Sequence, residues 1–340
     1  MSNLKYSKSK SSEPIKYTLI GCPFEFTGKT KMHDMLEKIP WITYRDGFIP
    51  IDGWCSDTGW GCMIRVAQMM LWTTLMRHIR NQMSFDCWKK YDITDLELMK
   101  IVLPLFLDDY QKQEAPFSIR NIIEVGKNLL QKGAGEWYGA HSISQVIREV
   151  NEKYNCQYYK AFKILTFNEG VIYKQKINEL FEGPDSSTGV LWLVPLRLGL
   201  KKIDSQYHAQ IKSALGNKLS VGILGGKNIY ALYWVGYYDK KLITLDPHTE
   251  QDAVAELNDD TFWSFSTRHP KTINFVDWDT TMAFWFYLKD TEDAEHLYSS
   301  IESWKADKPE EYLIGLEDIK KDVQFDTEKE AEFDEDFEII

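Results

Sequence analysis

A cysteine that follows a glycine-rich turn is the strongest candidate nucleophile in the sequence. Within residues 56–65 (SDTGWGCMIR), Gly59 and Gly61 lie just before Cys62. Apolar residues at spacings of three and four predict a helix over 62–82, with Cys62 at its first turn. The unpaired backbone N–H groups of a helix start favour an anion, so a thiol placed there is shifted towards the nucleophilic thiolate. The same N–H groups can help to bind the oxyanion of a tetrahedral intermediate.

An aspartate and a histidine two residues apart could supply the base that such a nucleophile needs. Asp246 and His248 follow the apolar, strand-like run 242–245 and are separated by Pro247. Residues two apart on an extended strand point to the same side, and a proline disfavours helix at the residue before it. A carboxylate beside an imidazole fixes the tautomer of the ring and stabilises the imidazolium. Together with Cys62, this pair predicts a cysteine peptidase triad.

Several alternatives to the triad remain open at this point. A buried cysteine can open an ordinary helix, and an Asp-Pro pair commonly ends a strand. A binding protein that keeps the fold without catalysis is one functional alternative. A transglutaminase-type acyl transferase is another, although its usual chain order places His before Asp, the reverse of the order here. A redox pair of Cys55 and Cys62 is the weakest alternative, because the sequence has no Cys-x-x-Cys motif.

Composition argues against other classes of protein. Of the 340 residues, 44% are hydrophobic and 14% aromatic, which is enough for a large core. The net charge of −11 is concentrated in the C-terminal tail, and no basic stripe predicts nucleic-acid binding. The glycine-rich stretch 221–227 lacks the phosphate-loop pattern, and the Cys and His residues lack finger-like spacing, so we predict no cofactor and no metal. The absence of a signal peptide and of an 18-residue apolar run predicts a cytoplasmic protein.

The elements that must position the triad form separate helical and strand-rich blocks, which predicts an α+β fold. Apolar periodicity predicts further helices at 93–107, 118–132, 142–155, 170–182, 205–216 and 291–304. Buried strands are predicted at 191–198 and 220–224, and a hairpin at 228–237 and 241–246.

The domain prediction has three parts. Residues 1–14 are rich in Ser and Lys and are predicted to be disordered. Residues 15–310 are predicted to form the catalytic domain, with an accessory insertion somewhere in 85–190. Residues 311–340 form an acidic tail that is predicted to be largely disordered.

Four blocks of the sequence, in a consistent order, resemble the autophagins, the cysteine peptidases that process the ubiquitin-like modifier of autophagy. These blocks are 56–63 (SDTGWGCM), 135–139 (GEWYG), 195–200 (PLRLGL) and 225–251, which contains GGK and LDPHTEQ. The similarity extends from about residue 40 to 290. It implies a papain-like cysteine peptidase fold with a small accessory domain, and the same triad order that the residues predict.

The resemblance also implies roles for residues whose type alone says little. Tyr44 matches the family's oxyanion-hole tyrosine, and Trp137 matches a tryptophan that covers the substrate channel. Gly225 and Gly226 match the Gly-Gly region before a loop that gates the groove. At Asn228 this sequence departs from the family, which commonly has proline there.

The implied partner is the autophagy ubiquitin-like modifier, both as a C-terminally extended precursor and as its conjugate with phosphatidylethanolamine. Contact with a membrane surface would then be transient and made through the lipidated substrate. The acidic tail ends in Phe337-x-x-Ile340, which is similar to a short motif that adds a strand to the modifier and fills two apolar pockets.

Overall fold

The computed structural model describes eleven stretches of the chain, and the structural statements below concern these stretches. They are 15–26, 34–82, 95–108, 114–154, 162–182, 189–200, 203–227, 230–267, 270–274, 280–305 and 312–318. No helix within them is long and apolar enough to cross a membrane.

Strands and helices alternate irregularly along the described chain. The strands are β1 (Ile15–Leu19), β2 (Cys22–Phe26), β3 (Tyr44–Ile51), β4 (Trp54–Ser56), β5 (Phe162–Thr166), β6 (Val171–Tyr173), β7 (Gly189–Arg197), β8 (Ser220–Lys227), β9 (Tyr230–Tyr238), β10 (Lys241–Leu245), β11 (Glu250–Asp252), β12 (Lys271–Asn274), β13 (Thr281–Leu288) and β14 (Gly315–Glu317). The α-helices with defined bounds are α1 (Cys62–Gln82), α2 (Asp95–Val102), α3 (Ile119–Leu130), α4 (Ala140–Lys153), α5 (Lys174–Glu182), α6 (His208–Leu215), α7 (Asp259–Phe262) and α8 (Thr291–Trp304). This mixture confirms the α+β fold class.

A mainly antiparallel sheet of nine described strands divides the core into two layers. Its main path has the order β12–β10–β9–β8–β13–β7–β5, and β1 and β2 extend it beside β9. Along β7, Leu191 and Leu193 belong to one apolar cluster, whereas Trp192 and Val194 belong to the other. Alternate residues of a strand face opposite sides of a sheet, so β7 contributes to both layers. Strands covered on both faces are apolar almost throughout, and β7 and β13 show this composition.

Helix α1 lies within the core and packs on β8 and β9. Its bounds agree with the helix predicted at 62–82. Its environment is less one-sided than the spacing predicts, because Arg65, Gln68 and Thr74 are also buried. Helices α2, α3 and α4 contribute to the same apolar cluster as α1. A helix covered on all sides needs internal partners for every polar side chain, and these partners bear on the site described below.

Most of the other predicted helices and strands are present in the structure with shifted ends. The observed elements differ from the predicted ones in two larger respects. Residues 170–182 do not form one helix, because 171–173 pair in parallel with β14 before α5 begins. The second difference is a set of strands that are not predicted, of which β13 is the most central. Its apolar run lies in the middle of the sheet, between β7 and β8, and pairs antiparallel with both.

A small three-stranded sheet joins the chain before α1 to the chain after β10. Strand β3 pairs with β4 on one side and in parallel with β11 on the other, with Tyr44 opposite Glu250. The backbone N–H of Tyr44 also donates to the Pro247 carbonyl at 3.0 Å. Residues about 200 positions apart are thereby brought together at the start of α1.

Candidate active site

The turn before α1 is built around Asp57 and places Cys62 at the first position of the helix. The backbone N–H groups of Trp60 and Gly61 donate to the Asp57 carbonyl at 3.2 and 2.8 Å. Gly59 adopts a φ of 90°, a left-handed conformation that favours glycine. A Cβ on Gly61 would lie 2.1 Å from an Asp57 carboxylate oxygen, so a side chain has no room there. Both glycines of the predicted motif are therefore required by the shape of this turn.

A buried network of charges anchors this turn to the core. The Arg65 guanidinium donates to the Asp57 carboxylate at 2.8 and 3.0 Å and pairs with Asp108 at 2.9 Å. The backbone N–H of Arg45 donates to the same Asp57 carboxylate at 2.7 Å. The Asp57 side chain is fully buried, and that of Arg65 is 1% exposed. Buried charges are stable only when they are paired and hydrogen-bonded. The network therefore holds the turn before Cys62 in one conformation.

The sequence predicts that Asp246 and His248 share one face of a straight strand. The structure differs from this prediction. Strand β10 ends at Leu245, and Asp246 turns its carboxylate back towards its own chain. One carboxylate oxygen accepts hydrogen bonds from the His248 backbone N–H at 2.9 Å and from the His248 Nδ1 at 2.6 Å. A short aspartate side chain readily makes such a local turn. In this turn the Nδ1–H of His248 donates to the carboxylate, which leaves Nε2 available to another partner.

That other partner of His248 is the Cys62 thiol, which lies close enough to the imidazole for each group to shift the pKa of the other. Nε2 is buried, and among the described residues no group, the thiol included, meets the geometry of a full hydrogen bond to it. The Tyr44 hydroxyl and the backbone N–H of Ala231 also hydrogen-bond to the sulfur. The structure thus brings together all three members of the predicted triad, together with Tyr44.

The electrostatics of this cluster favour a thiolate and an imidazolium. Burial opposes ionisation of Cys62, but the hydrogen bonds to its sulfur outweigh burial and lower the pKa of the thiol below its ordinary value. Burial likewise lowers the pKa of His248, but hydrogen bonds to Asp246 and Cys62 outweigh it and raise this pKa from 6.5 to about 9. The two groups therefore stabilise each other's charged forms, which is the state required for nucleophilic attack.

The hydroxyl of Tyr44 is suited to donate a hydrogen bond beside the sulfur. Burial and the charge of Cys62 both raise the pKa of Tyr44 well above its ordinary value, so the hydroxyl keeps its proton. The Tyr44 ring meets the His248 ring edge-on, with centroids 5.4 Å apart and an interplanar angle of 90°. A protonated hydroxyl at this position can stabilise an oxyanion that forms next to Cys62.

Asp246 has further partners besides His248, one at its carboxylate and one at its backbone carbonyl. Lys271, on β12, pairs with the carboxylate oxygen that His248 does not use, and the Trp41 indole N–H donates to the Asp246 carbonyl at 2.8 Å. Burial raises the pKa of Asp246, but hydrogen bonds from His248 and Lys271 hold it well below its usual range. Asp246, Trp41 and Lys271 line an open cleft of about 480 Å³ together with Glu37, Leu245, Thr249, Trp263, Ser266 and Thr267.

The predicted substrate-binding glycines lie on the hairpin that contacts the sulfur. Gly225 and Gly226 are in β8, opposite Leu232 and Ala231 of β9. A Cβ on Gly226 would lie 2.2 Å from the Tyr230 carbonyl oxygen, so glycine lets the two strands approach closely there. These glycines therefore support the strand that presents the Ala231 N–H.

Trp137 lies just before α4 and packs, partly buried, against the central core. Its indole N–H is buried and has no acceptor within the described stretches. None of the contacts that join the triad, given above, involves Trp137. Phe337, Ile340 and Asn228 lie outside the described residues.

Four site residues are missed by reasoning from the sequence. Asp57 and Arg65 carry a usable signal, because both fall within the ten-residue motif around the nucleophile. Lys271 and Ala231 carry none, because Lys271 reaches the triad through the pairing of β12 with β10 and Ala231 through the packing of α1 on β9. Strand pairing over such distances cannot be obtained from local periodicity.

A buried thiol at a helix start, paired with an imidazole that a carboxylate orients, is the arrangement of the cysteine hydrolases. Comparison with known proteins narrows this class. Residues 29–300 match the family described as the peptidase C54 catalytic domain. The cysteine protease ATG4A of Homo sapiens is 30% identical, over 92% of this chain and 90% of its own. The cysteine protease atg4da of Danio rerio is 25% identical, over 92% and 78%, and the cysteine protease ATG4 of Candida albicans is 29% identical, over 81% and 66%.

The chain belongs to the peptidase C54 family and is a cysteine peptidase. The resemblance to the autophagins, first noted from four sequence blocks, is confirmed over most of the chain. The accessory insertion within 85–190 and the division into domains stay predictions.

Proposed function

We propose that this peptidase cleaves the autophagy ubiquitin-like modifier after a glycine near its C-terminus and also releases the modifier from phosphatidylethanolamine. The contact between the Cys62 thiol and the His248 imidazole carries the proposal, because it supplies an activated nucleophile. Membership of the C54 family and similarity to proteins named ATG4 support an autophagy-related peptidase. Both substrates contain the same bond type, an amide to the carboxyl group of glycine.

In the proposed reaction, the Cys62 thiolate attacks the glycine carbonyl carbon. Negative charge develops on the carbonyl oxygen, which the Cys62 backbone N–H and the Tyr44 hydroxyl stabilise. The His248 imidazolium then donates its Nε2 proton to the leaving nitrogen as the C–N bond breaks, leaving a thioester on the sulfur. Water, deprotonated by neutral His248, hydrolyses the thioester, which releases the glycine carboxyl group and restores the thiolate and the imidazolium. Asp246 orients the imidazole throughout and does not take up its proton.

Selection for glycine is proposed to depend on a narrow channel beside Cys62. Trp137 would cover this channel, and the hairpin that contains Gly225 and Gly226 would form one of its walls. A side chain larger than hydrogen would then clash in such a channel. The proposal for Trp137 comes from its sequence context and its match to the family, since its contacts given above are with the core.

Binding of the modifier is proposed to involve a second contact, made by the acidic tail. Phe337 and Ile340 would place apolar side chains in two pockets of the modifier while the tail adds a strand to it. The peptidase would work in the cytoplasm and meet membrane only through the lipidated substrate.

The decisive test compares two cysteine variants on a C-terminally extended modifier, with the products weighed by mass spectrometry. Cys62→Ala should abolish cleavage, because it removes the sulfur that forms the thioester, while binding of the modifier persists. Cys55→Ala is the matched control, because Cys55 is seven residues away and exposed, and it should cleave at the wild-type rate. Cleavage by Cys62→Ala would refute the mechanism. If the wild-type protein binds the modifier but neither cleaves it nor reacts with a thiol-directed probe, the alternative of an inactive modifier-binding protein replaces the proposal.

A further inference from the structure

Tyr230 is an exposed aromatic residue that packs directly on the imidazole of the triad. Its ring centroid lies 4.8 Å from that of His248, with an interplanar angle of 62°. The Tyr44 ring also contacts His248 but is 5% exposed, whereas Tyr230 is 55% exposed. Of these two rings, Tyr230 therefore offers the free apolar surface beside the imidazole. A large exposed aromatic side chain at a catalytic residue is typical of a binding contact rather than of core packing.

The chemistry of the reaction determines which part of the substrate lies near this ring. His248 must give its Nε2 proton to the leaving nitrogen, so that nitrogen has to come within hydrogen-bonding distance of the imidazole. The group attached to the nitrogen is the first residue after the scissile bond. Its side chain then lies within a few ångströms of whatever packs on the imidazole.

The position of Tyr230 in the chain places the ring close to the reacting atoms as well. Tyr230 begins β9, and the next residue, Ala231, hydrogen-bonds through its backbone N–H to the Cys62 sulfur. Glycine at 226 allows this approach, because a Cβ there would collide with the Tyr230 carbonyl. The backbone of Tyr230 is thus fixed against β8, while most of its ring faces outward.

We infer that Tyr230 is a specificity-determining residue that favours an apolar or aromatic side chain directly after the scissile bond. The inference rests on the proposed function and extends it to the leaving-group side of the cut. The ring would stack on an aromatic side chain at that position and would gain nothing from a small polar one. Ethanolamine carries no side chain, so Tyr230 separates the two proposed substrates by their leaving groups.

The test measures kcat/KM for two extended modifiers that differ only in the residue after the scissile glycine, Phe in one and Ser in the other. An aromatic contact should make the wild-type enzyme favour Phe over Ser by about three- to tenfold. In Tyr230→Ala the ratio should fall to about one, and in Tyr230→Phe it should remain near the wild-type value. Tyr312→Ala is the matched control, because Tyr312 is 47% exposed and lies beside β14, and its ratio should equal that of the wild type.

The outcomes separate this inference from the function on which it rests. A wild-type ratio of one, or a Tyr230→Ala variant that loses rate equally on both modifiers, overturns the specificity role, because the ring would then only support His248. Cleavage after glycine would still uphold the proposed function in either case. Failure of the wild-type enzyme to cut either modifier overturns both.

Discussion

The two halves of the candidate site are fixed in place by different kinds of interaction. On the nucleophile side, the turn before Cys62 is held by Asp57 and Arg65, whose side chains are 0% and 1% exposed. On the base side, Asp246 is 14% exposed and its outer oxygen pairs with Lys271, which is 66% exposed. Ion pairs in the interior are costly to break, whereas ion pairs at the surface are screened and contribute little. The position of the thiol is thus fixed by buried groups of the core, while the orientation of the imidazole depends on groups near the surface.

The largest predicted effect tests whether the base side affects catalysis without affecting the fold. Asp246→Asn keeps the size of the side chain but removes the charge that orients and stabilises the imidazolium. By analogy with the aspartate of serine peptidases, kcat should fall about 10³- to 10⁴-fold. Thermal unfolding should shift little, and both quantities can be measured on the same preparation. A variant with wild-type turnover would remove Asp246 from the triad.

The second prediction concerns the nucleophile side, where we expect a large loss of stability. Arg65→Met leaves Asp57 and Asp108 as uncompensated buried charges and should lower the free energy of unfolding by about 3–5 kcal/mol. Denaturant titration measures this change. Arg120→Met is the control, because Arg120 donates to the Ile49 carbonyl at an exposed position and should change stability by less than about 0.5 kcal/mol. Equal effects of the two substitutions would contradict the comparison of buried and exposed charges.

The third prediction concerns the pH at which His248 loses its proton and kcat/KM falls. The pKa of His248 is raised to about 9, so the imidazolium is fully formed below pH 6.5, its ordinary pKa, and is lost as the pH rises through 9. Any stability that this charged form contributes is lost over the same interval. We expect kcat/KM to fall tenfold per pH unit above about 9, while alkylation of Cys62 by iodoacetamide continues because the thiolate persists. A fall that begins near pH 6.5 would show that Asp246 and Cys62 do not raise this pKa.

The smallest predicted effect sharpens the comparison further. Lys271→Met removes the exposed partner of Asp246 and should lower kcat only about two- to fivefold with KM unchanged, because a screened ion pair contributes at most about 1 kcal/mol. Lys271→Arg should restore the rate. The wild-type enzyme at 1 M salt should approach the variant, since salt screens the pair. A loss as large as that of Asp246→Asn would mean that Lys271 controls the carboxylate and that the base side is not loosely held.

Local sequence motifs predicted the nucleophile region better than any other part of the molecule. The helix that begins at Cys62 was predictable because its glycine-rich turn and its apolar spacing are both local signals. The pairing of Asp246 with His248 was also local, although its geometry is a turn rather than a strand. The meeting of these two segments is not local, and it was predictable because cysteine catalysis requires a base and because the resemblance to the autophagins implies the same triad.

What the sequence could not predict depends on contacts between distant segments. Lys271 reaches Asp246 only because β12 pairs with β10 at the edge of the main sheet. Strand β13 was missed although residues 282–288 are all apolar, as are most of those in the strand predicted at 191–198. The pairing of this run with β7 and β8 is what local sequence does not encode. The proposed role of Trp137 stays a prediction from its match to the family.

The three-stranded sheet ties the loss of activity to the loss of the core. Pairing of β3 with β11 fixes Tyr44 to the segment that follows His248, and Tyr44 belongs to the same buried cluster as Cys62. The tyrosine hydroxyl should therefore leave the thiol only when this cluster itself opens. We expect hydrogen exchange at 44–46 and 250–252 to rise together, and turnover to disappear in the same transition as global unfolding.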